Sequence, residues 1–205
     1  MRIYLDIETY RPSKSDAFIN EKVIAIGLLE DQTPYSPISI EKNADAKFFF
    51  IWDHGDEEKV IEEFYNYIWS IVKDYRKQKI KFVIVVGFNI LRFDIPLLTQ
   101  KAVEYNIMSL SEINKLWHDT YTIDLFQAAL PLNNMKFKDL KLEFLVKKAE
   151  KLGINMPDLH GSGKDVKQWY EKGEYENIRK HLELDLKTIR IIDLLHDKIF
   201  TYEKH

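Results

Sequence analysis

The sequence predicts an α/β domain: a mixed five-stranded sheet, three antiparallel strands followed by two parallel ones, flanked by helices. Three observations carry this. The first fifty residues hold three β-branched or aromatic runs joined by polar or Pro-rich connections, which favour antiparallel hairpins. Residues 82–88, FVIVVGF, are continuously apolar, as befits a strand buried on both faces. Helical stretches precede and follow that run, which places it parallel to a neighbour.

The elements follow in order. Side chains alternate along a strand, so in MRIYLDIETY (1–10) Ile3, Leu5 and Ile7 share one face, and Tyr4, Asp6 and Glu8 the other. A polar turn, RPSKSDAF, leads to a second strand, KVIAIGLLE. Beyond the bridge TPYSP, AKFFFIWD makes a third. Residues 56–78 form an amphipathic helix: Val60, Phe64, Tyr67, Ile68 and Ile71 recur at spacings of three and four, with acids in the first turn and bases in the last. The next helix opens near Asp94 and runs through LLTQKAVEY, and YTIDLF (121–126) is a strand running into a helix. The remainder reads as helix over 139–152, a short piece over 164–170 and a long helix from about Glu174. No repeat or low-complexity tract divides the chain, so 1–205 is expected to be a single domain.

With 205 residues, 45% of them hydrophobic, the chain can bury a real core. A net charge of -3 provides no global basic field, yet an acidic centre can coexist with Lys and Arg placed elsewhere. The absence of cysteine excludes disulfides, a disulfide-linked partner and thiolate metal sites. The longest apolar runs fall short of the about 18 residues that a membrane helix needs. No cleavable signal precedes the first strand, so a cytoplasmic protein with no membrane partner is expected.

The candidate chemistry is acidic. Asp6 and Glu8 on one face repel each other and need water or a cation; the alternative is an edge strand with one solvated face. Asp94 follows the buried strand and precedes Pro96 at a helix start, where it is either an N-cap or a further ligand. Ile178, Leu182, Asp185, Ile189 and Ile192 follow one helical stripe, so Asp185 sits within the face that must be buried and requires a partner or a metal. His181, one turn earlier on the same side, is either a satisfied core residue or part of that chemistry. All four acids can converge at one end of the sheet. With two divalent cations roughly 3.5–4 Å apart, such a cluster becomes a two-metal site for in-line phosphoryl displacement. Oxygen ligands without thiolates select Mg2+ or Mn2+.

The motifs resemble those of the DEDD superfamily of 3′–5′ exonucleases, which have a ribonuclease H-like fold. YLDIET, with Asp6 and Glu8, resembles the first motif. GFNILRFDIPLL resembles the second in the Asn-x-x-x-Phe-Asp form of exonuclease domains of B-family DNA polymerases. HLELD (181–185) corresponds to the third. TIDLF, KDLKLEFLVKKAEKLGI and KDVKQWYEKGEYENIRKHLELD keep the order and spacing of stand-alone members, so the resemblance spans nearly the whole chain. It implies hydrolysis of phosphodiester bonds at the 3′ end of single-stranded DNA, or of RNA, with release of nucleoside monophosphates. It further implies that Asp6, Glu8, Asp94 and Asp185 hold two Mg2+ or Mn2+ ions. Thr9 and the Ile7 backbone would lie against the terminal nucleotide, with Asn89 and Phe93 shaping the same pocket. One departure stands out: the family's third motif carries Tyr three residues clear of the Asp or His four residues clear, and here His181 combines the His residue with the Tyr spacing. The resemblance assigns His181 to orienting or deprotonating the attacking water. Imidazole, with a pKa of about 6.5, suits a base at neutral pH. The alternatives are a catalytically silent nucleic-acid-binding domain of the same fold, and a ribonuclease or structure-specific nuclease.

Two basic groups could meet phosphates: Lys73, Arg76, Lys77, Lys79 and Lys81, and Lys136, Lys138 and Lys141, with Lys147, Lys148 and Lys151 beyond. Either is also explained as a solvated helix end. GSGKD (161–165) lacks the spacing of a phosphate loop, and His54, His118, His160, His196 and His205 show no ligand spacing and are expected at the surface.

Overall fold

The computed structural model describes residues 1–13, 15, 17–31, 44–78 and 82–201. The bridge TPYSP, Lys79, Lys81 and His205 lie outside the described residues. Strands β1 (Arg2–Tyr10), β2 (Lys22–Asp31), β3 (Asp45–Phe50), β4 (Ile84–Gly87) and β5 (Tyr121–Asp124) form a sheet of order β3-β2-β1-β4-β5. β1 pairs antiparallel with β2 and parallel with β4; β2–β3 is antiparallel and β4–β5 parallel. That is the expected mixed sheet. β1 is its central strand, so the solvated-edge explanation for Asp6 and Glu8 fails: Ile3, Tyr4 and Leu5 are all buried.

On one face lies α2 (Glu57–Lys77), started by the Asp56 carboxylate accepting from Lys59 N at 2.9 Å. It buries Val60, Ile61, Phe64, Tyr65, Ile68 and Val72. Its Tyr67 hydroxyl donates to Glu30 of β2, and it packs on α3 (Asp94–Glu104), which in turn meets α4 (Leu110–His118). The opposite face of β2, carrying Asp31, meets α8 (Tyr175–Leu194), which spans β1, β2 and β4. α6 (Leu142–Lys151) and α7 (Gly163–Lys172) flank α8, and short helices α1 (Ile51–His54), α5 (Leu125–Ala129) and α9 (His196–Ile199) cap the connections. The expected third strand stops at Phe50, where α1 begins, and Phe82 lies outside β4 with 59% of its surface exposed. No described helix is long and apolar enough to cross a membrane.

Two helix boundaries differ from expectation for local reasons. The helix expected from Asp139 starts at Leu142, because Asp139 adopts φ +64°, incompatible with a right-handed turn. α4 was not anticipated, although Ser109 and Glu112 form a reciprocal capping box there: Ser109 N and Oγ donate to Glu112 at 2.9 and 2.7 Å, and Glu112 N donates back to Ser109 Oγ at 3.3 Å.

Candidate active site

Three elements deliver the acids to one place. β1 supplies Asp6 and Glu8 from the face turned towards α8, and a bulge between Glu8 and Thr9 shifts the register with β2 just beyond them. α8 supplies Asp185 and His181 from the stripe that also buries Ile178, Leu182, Ile189 and Ile192. Its close approach depends on Gly27, paired with Asp6 across the sheet: a Cβ there would lie 2.7 Å from Leu186 Cδ1 and 2.9 Å from Leu182 Cγ. The turn after β4 supplies Asp94. Here a Cβ on Gly87 would meet Ile90 Cγ2 at 2.3 Å and the Leu5 carbonyl at 2.7 Å, so only glycine lets the turn fold back over β1.

Asp124 fixes that turn. Its Oδ1 accepts from Asn89 N at 2.8 Å and from Phe126 N at 2.9 Å, while Oδ2 accepts from Leu91 N at 3.1 Å. Asp124 thus caps α5 and simultaneously holds Asn89 at φ +67°. Asp94 is the first residue of α3, and the N-cap is Phe93, without a side-chain cap bond. The capping explanation for Asp94 therefore fails.

Asp6, Ile7, Glu8, Asn89, Phe93, Asp94, His181 and Asp185 line one cavity of about 580 Å3, a size usual for small-molecule sites. Thr9 faces an adjoining cavity that shares Arg11, Phe93 and Lys164 with the first, and its hydroxyl donates to Glu21 at 2.7 Å. Phe93 meets Phe18 edge to face at 5.3 Å between ring centres. Of the basic groups, Lys141 reaches the cavity wall. Lys73, Arg76 and Lys77 end the helix that leads towards the start of β4, at the other end of the sheet, where Arg76 pairs with Asp119.

The electrostatics are those of crowded, buried acids. Burial, then Glu8, Asp185 and Asp94, hold the Asp6 pKa well above the carboxylate range. Burial, then Asp185 and Asp94, do the same for Glu8. Asp94 and Asp185 are each pushed up to about 7, chiefly by burial, with Asp124 adding to the first and Glu143 to the second. One oxygen of each, Oδ1, is buried without a hydrogen-bond partner. His181 Nε2 stands 3.4 Å from Glu8 Oε1 and 3.9 Å from Asp185 Oδ2. Its pKa is nevertheless lowered: burial dominates over the raising effect of the His160 main chain, and the His160 ring lowers it further. The contact with Glu8 does not reverse this.

Partnerless buried carboxylate oxygens fit hard divalent cations, which take oxygen ligands and cancel such repulsion. Asp6, Glu8, Asp94 and Asp185 are the groups that could hold them, although among the described residues no three acidic or imidazole groups are already drawn into a ready cage. Two features lay outside the sequence expectations. Gly161, Ser162, Gly163 and Lys164 line the cavity as the entry to α7, capped by Ser162 and Asp165. His160 is half-buried rather than at the surface, stacked on Trp169 at 5.2 Å and bonded to Asn177 at 3.1 Å, beside His181. His54 is also tied in, bonded to Phe50 O at 2.8 Å and Glu63 at 3.0 Å, whereas His118 and His196 are exposed. Asp124 carried a readable signal, an acid ending a strand before an apolar pair; Gly27 and His160 act only through tertiary contacts.

Comparison with known proteins gives a consistent picture. The family model for the exonuclease domain of DNA polymerase family B matches residues 2–129. A DNA polymerase of Archaeoglobus fulgidus is 26% identical over 176 residues, which span 80% of this chain and 20% of that protein. The chain therefore corresponds to about a fifth of the curated relative it matches. Among solved structures, the family B DNA polymerase of the hyperthermophilic archaeon Pyrobaculum calidifontis superposes with a TM-score of 0.64 at 16% identity, covering 95% of this chain and 24% of that one. E. coli exonuclease I in complex with a dT13 oligonucleotide gives 0.51 at 12% identity, covering 96% and 41%. A product-bound exonuclease I gives 0.54 at 12% identity, covering 97% and 44%.

Proposed function

Because the chain belongs to the family of DNA polymerase family B exonuclease domains, we propose that residues 1–205 act as a metal-dependent 3′–5′ exonuclease on single-stranded DNA. What supports this most is the meeting, in one cavity, of His181 Nε2 with four buried acids, two of which, Asp94 and Asp185, keep an oxygen without a hydrogen-bond partner. Likeness to an exonuclease I solved with an oligonucleotide favours a single strand as substrate.

Asp6, Glu8, Asp94 and Asp185 would hold two Mg2+ or Mn2+ ions. When bound, such ions neutralise the phosphate charge and ease deprotonation of the attacking water. The protein's own groups do the rest. His181, kept neutral by burial, accepts the proton of that water at Nε2 as its oxygen attacks phosphorus. The 3′-oxygen of the preceding nucleotide leaves and takes up a proton, and a nucleoside 5′-monophosphate is released. Asn89, anchored through its backbone to Asp124, and Phe93 shape the floor against the terminal nucleotide, beside the Ile7 main chain. Thr9, engaged with Glu21, supports the neighbouring wall.

A 5′-labelled single-stranded DNA and a matching RNA, incubated with Mn2+, Mg2+ or EDTA, test this. The expected result is a ladder of shortening 5′-labelled products that needs metal and vanishes in Asp6→Ala. Intact strands in every lane, from folded protein that still binds them, would instead identify a silent binding domain. A ladder on RNA alone would reassign the substrate.

A further inference from the structure

Beside the cavity, the segment between α5 and α6 forms a rigid projection. Leu130–Asn133 is a 3-10 turn, and the chain then passes through Asn134 at φ +52° and Met135 at φ +59°. A left-handed conformation is uncommon for a residue as bulky as Met and persists only where the surroundings impose it. They do so here: Met135 N donates to Leu130 O at 2.8 Å, and the Asn133 side-chain amide donates to the carbonyls of Lys136 at 2.6 Å and Lys138 at 3.0 Å. What this locked backbone displays is apolar and basic together. Met135 is 64% exposed and Phe137 56%. Lys136 and Lys138 flank Phe137, and Arg92, from the turn that delivers Asp94, sits 4.5 Å over its ring. Phe137 also stacks on Phe126, a residue of the cavity wall, and Leu140 and Lys141, three and four positions on, line the same wall. Asp139 is the acid among these cations, and no described carboxylate forms an ion pair with Arg92, Lys136 or Lys138.

Exposed large apolar groups cost solvation, and a strained backbone that holds them outward calls for an occupant. Aromatic and Met surfaces interleaved with unpaired cations match the chemistry of a single nucleic-acid strand, with its bases for stacking and its phosphates for charge. The projection is continuous with the cavity through Phe126 and Lys141, so an occupant of one extends onto the other. We propose that this projection, with Arg92, is the seat for the nucleotides just upstream of the one held in the cavity. Bases pack on Phe137 and Met135, and Lys136, Lys138 and Lys141 hold the intervening phosphates. The inference rests on the exonuclease reading and adds to it: length preference and grip on long strands reside outside the acidic centre.

The test pairs binding with turnover. Binding of a fluorescein-labelled oligo-dT, long enough to leave the cavity, is followed by anisotropy in EDTA at several salt concentrations. Turnover is followed with Mn2+ on the p-nitrophenyl ester of thymidine 5′-monophosphate, which is too short to reach the projection. Lys136→Ser/Lys138→Ser is expected to make the slope of log affinity against log salt shallower by about 1.4, and Phe137→Ala to weaken binding by about tenfold. Both variants are expected to hydrolyse the ester as the wild type does. Lys73→Ser/Lys77→Ser, at the other end of the sheet, is expected to change neither. Oligonucleotide binding that both variants retain, in a protein that yields the product ladder, overturns this inference alone. Ester hydrolysis that falls in step with binding also overturns it, by making the projection part of the catalytic cavity. Wild-type protein that neither binds nor hydrolyses nucleic acid removes the exonuclease reading, and the strand seat with it.

Discussion

β1 and α8 bring charged groups together in two places, and the two meetings have opposite characters. At one end, Arg2 and Tyr4 converge on Asp193: Arg2 Nη1 donates to Oδ1 at 3.1 Å and the tyrosine hydroxyl to Oδ2 at 3.1 Å. Beside them, Arg190 grips Asp31 of β2 through Nε at 2.9 Å and Nη2 at 2.8 Å. All of these charges are buried, each opposite its complement. Two to three turns earlier on the same helix, Asp185 and His181 face Asp6 and Glu8, where acids gather and Asp185 Oδ1 stays unpartnered. Burial alone thus says little about what a charged group is for. The complementary end locates the helix on the strand, and the like-charged end uses that location to hold groups together that would otherwise separate.

Breaking the like-charged end should abolish turnover and spare the fold. Asp6→Asn is expected to lower the rate on labelled DNA by roughly a thousandfold. Its thermal midpoint in EDTA at pH 8 should equal or exceed the wild type's, because a repelling charge has gone; a lower midpoint would mean that Asp6 is structural. His181→Ala follows, with a loss of about a hundred- to ten-thousandfold for a positioned base. The acid limb of its pH–rate profile should disappear, and an unchanged profile would reduce His181 to packing.

Breaking the complementary end should do the reverse. Asp193→Ala removes the carboxylate that Arg2 and Tyr4 share in the interior, at a cost of about 3–5 kcal/mol measurable by denaturant unfolding. Turnover by the fraction still folded should remain near that of the wild type. Severe loss of activity in folded Asp193→Ala would show that the two ends are not separable.

The smallest effect is in the pH dependence of stability. Asp94 and Asp185 titrate near 3.8 when unfolded and at about 7 when folded, so between those values the folded state keeps protons that the unfolded state releases. In EDTA, the contribution of these groups to stability is therefore present below pH 4 and lost as the pH rises through 7. Thermal melts across that window should show the decline, and Asp185→Asn should make it shallower. Adding Mn2+ at pH 8 should restore stability by binding the folded form. Melting points that climb towards pH 8 in EDTA would contradict the raised values.

What the sequence could disclose was whatever is written in a local period. The alternation that paired Asp6 with Glu8 and the stripe that turned Asp185 inward both survive in the fold, because each is fixed by backbone geometry within one element. The hairpin pairing of the first three strands followed from their short connections, but their spatial order did not. What stayed hidden depends on which elements touch. Gly27 reads as an ordinary strand residue until Leu182 and Leu186 are laid across it, and His160 has no spacing to mark it until Trp169 presses it towards His181. The edge-strand alternative for β1 failed for the same reason, since nothing in ten residues announces neighbours on both sides. α4 and Asp124 were missed despite local signals, a capping box and a strand-ending acid.

The position of β1 at the centre of the sheet bears on how the site comes apart. Arg2–Tyr4 are paired with β2 on one side and β4 on the other, and the stretch carrying Asp6 and Glu8 is paired with β2, so these ladder amides exchange with solvent when the pairing itself opens. α8 has no such ladder and is held on the sheet by side chains. A partial opening that lifts α8 would carry away Asp185 and His181 while Asp6 and Glu8 remain fixed, leaving half a site on an intact sheet. Deuterium uptake should therefore resolve two levels of protection across this one cavity, and a bound strand should raise the lower level towards the higher.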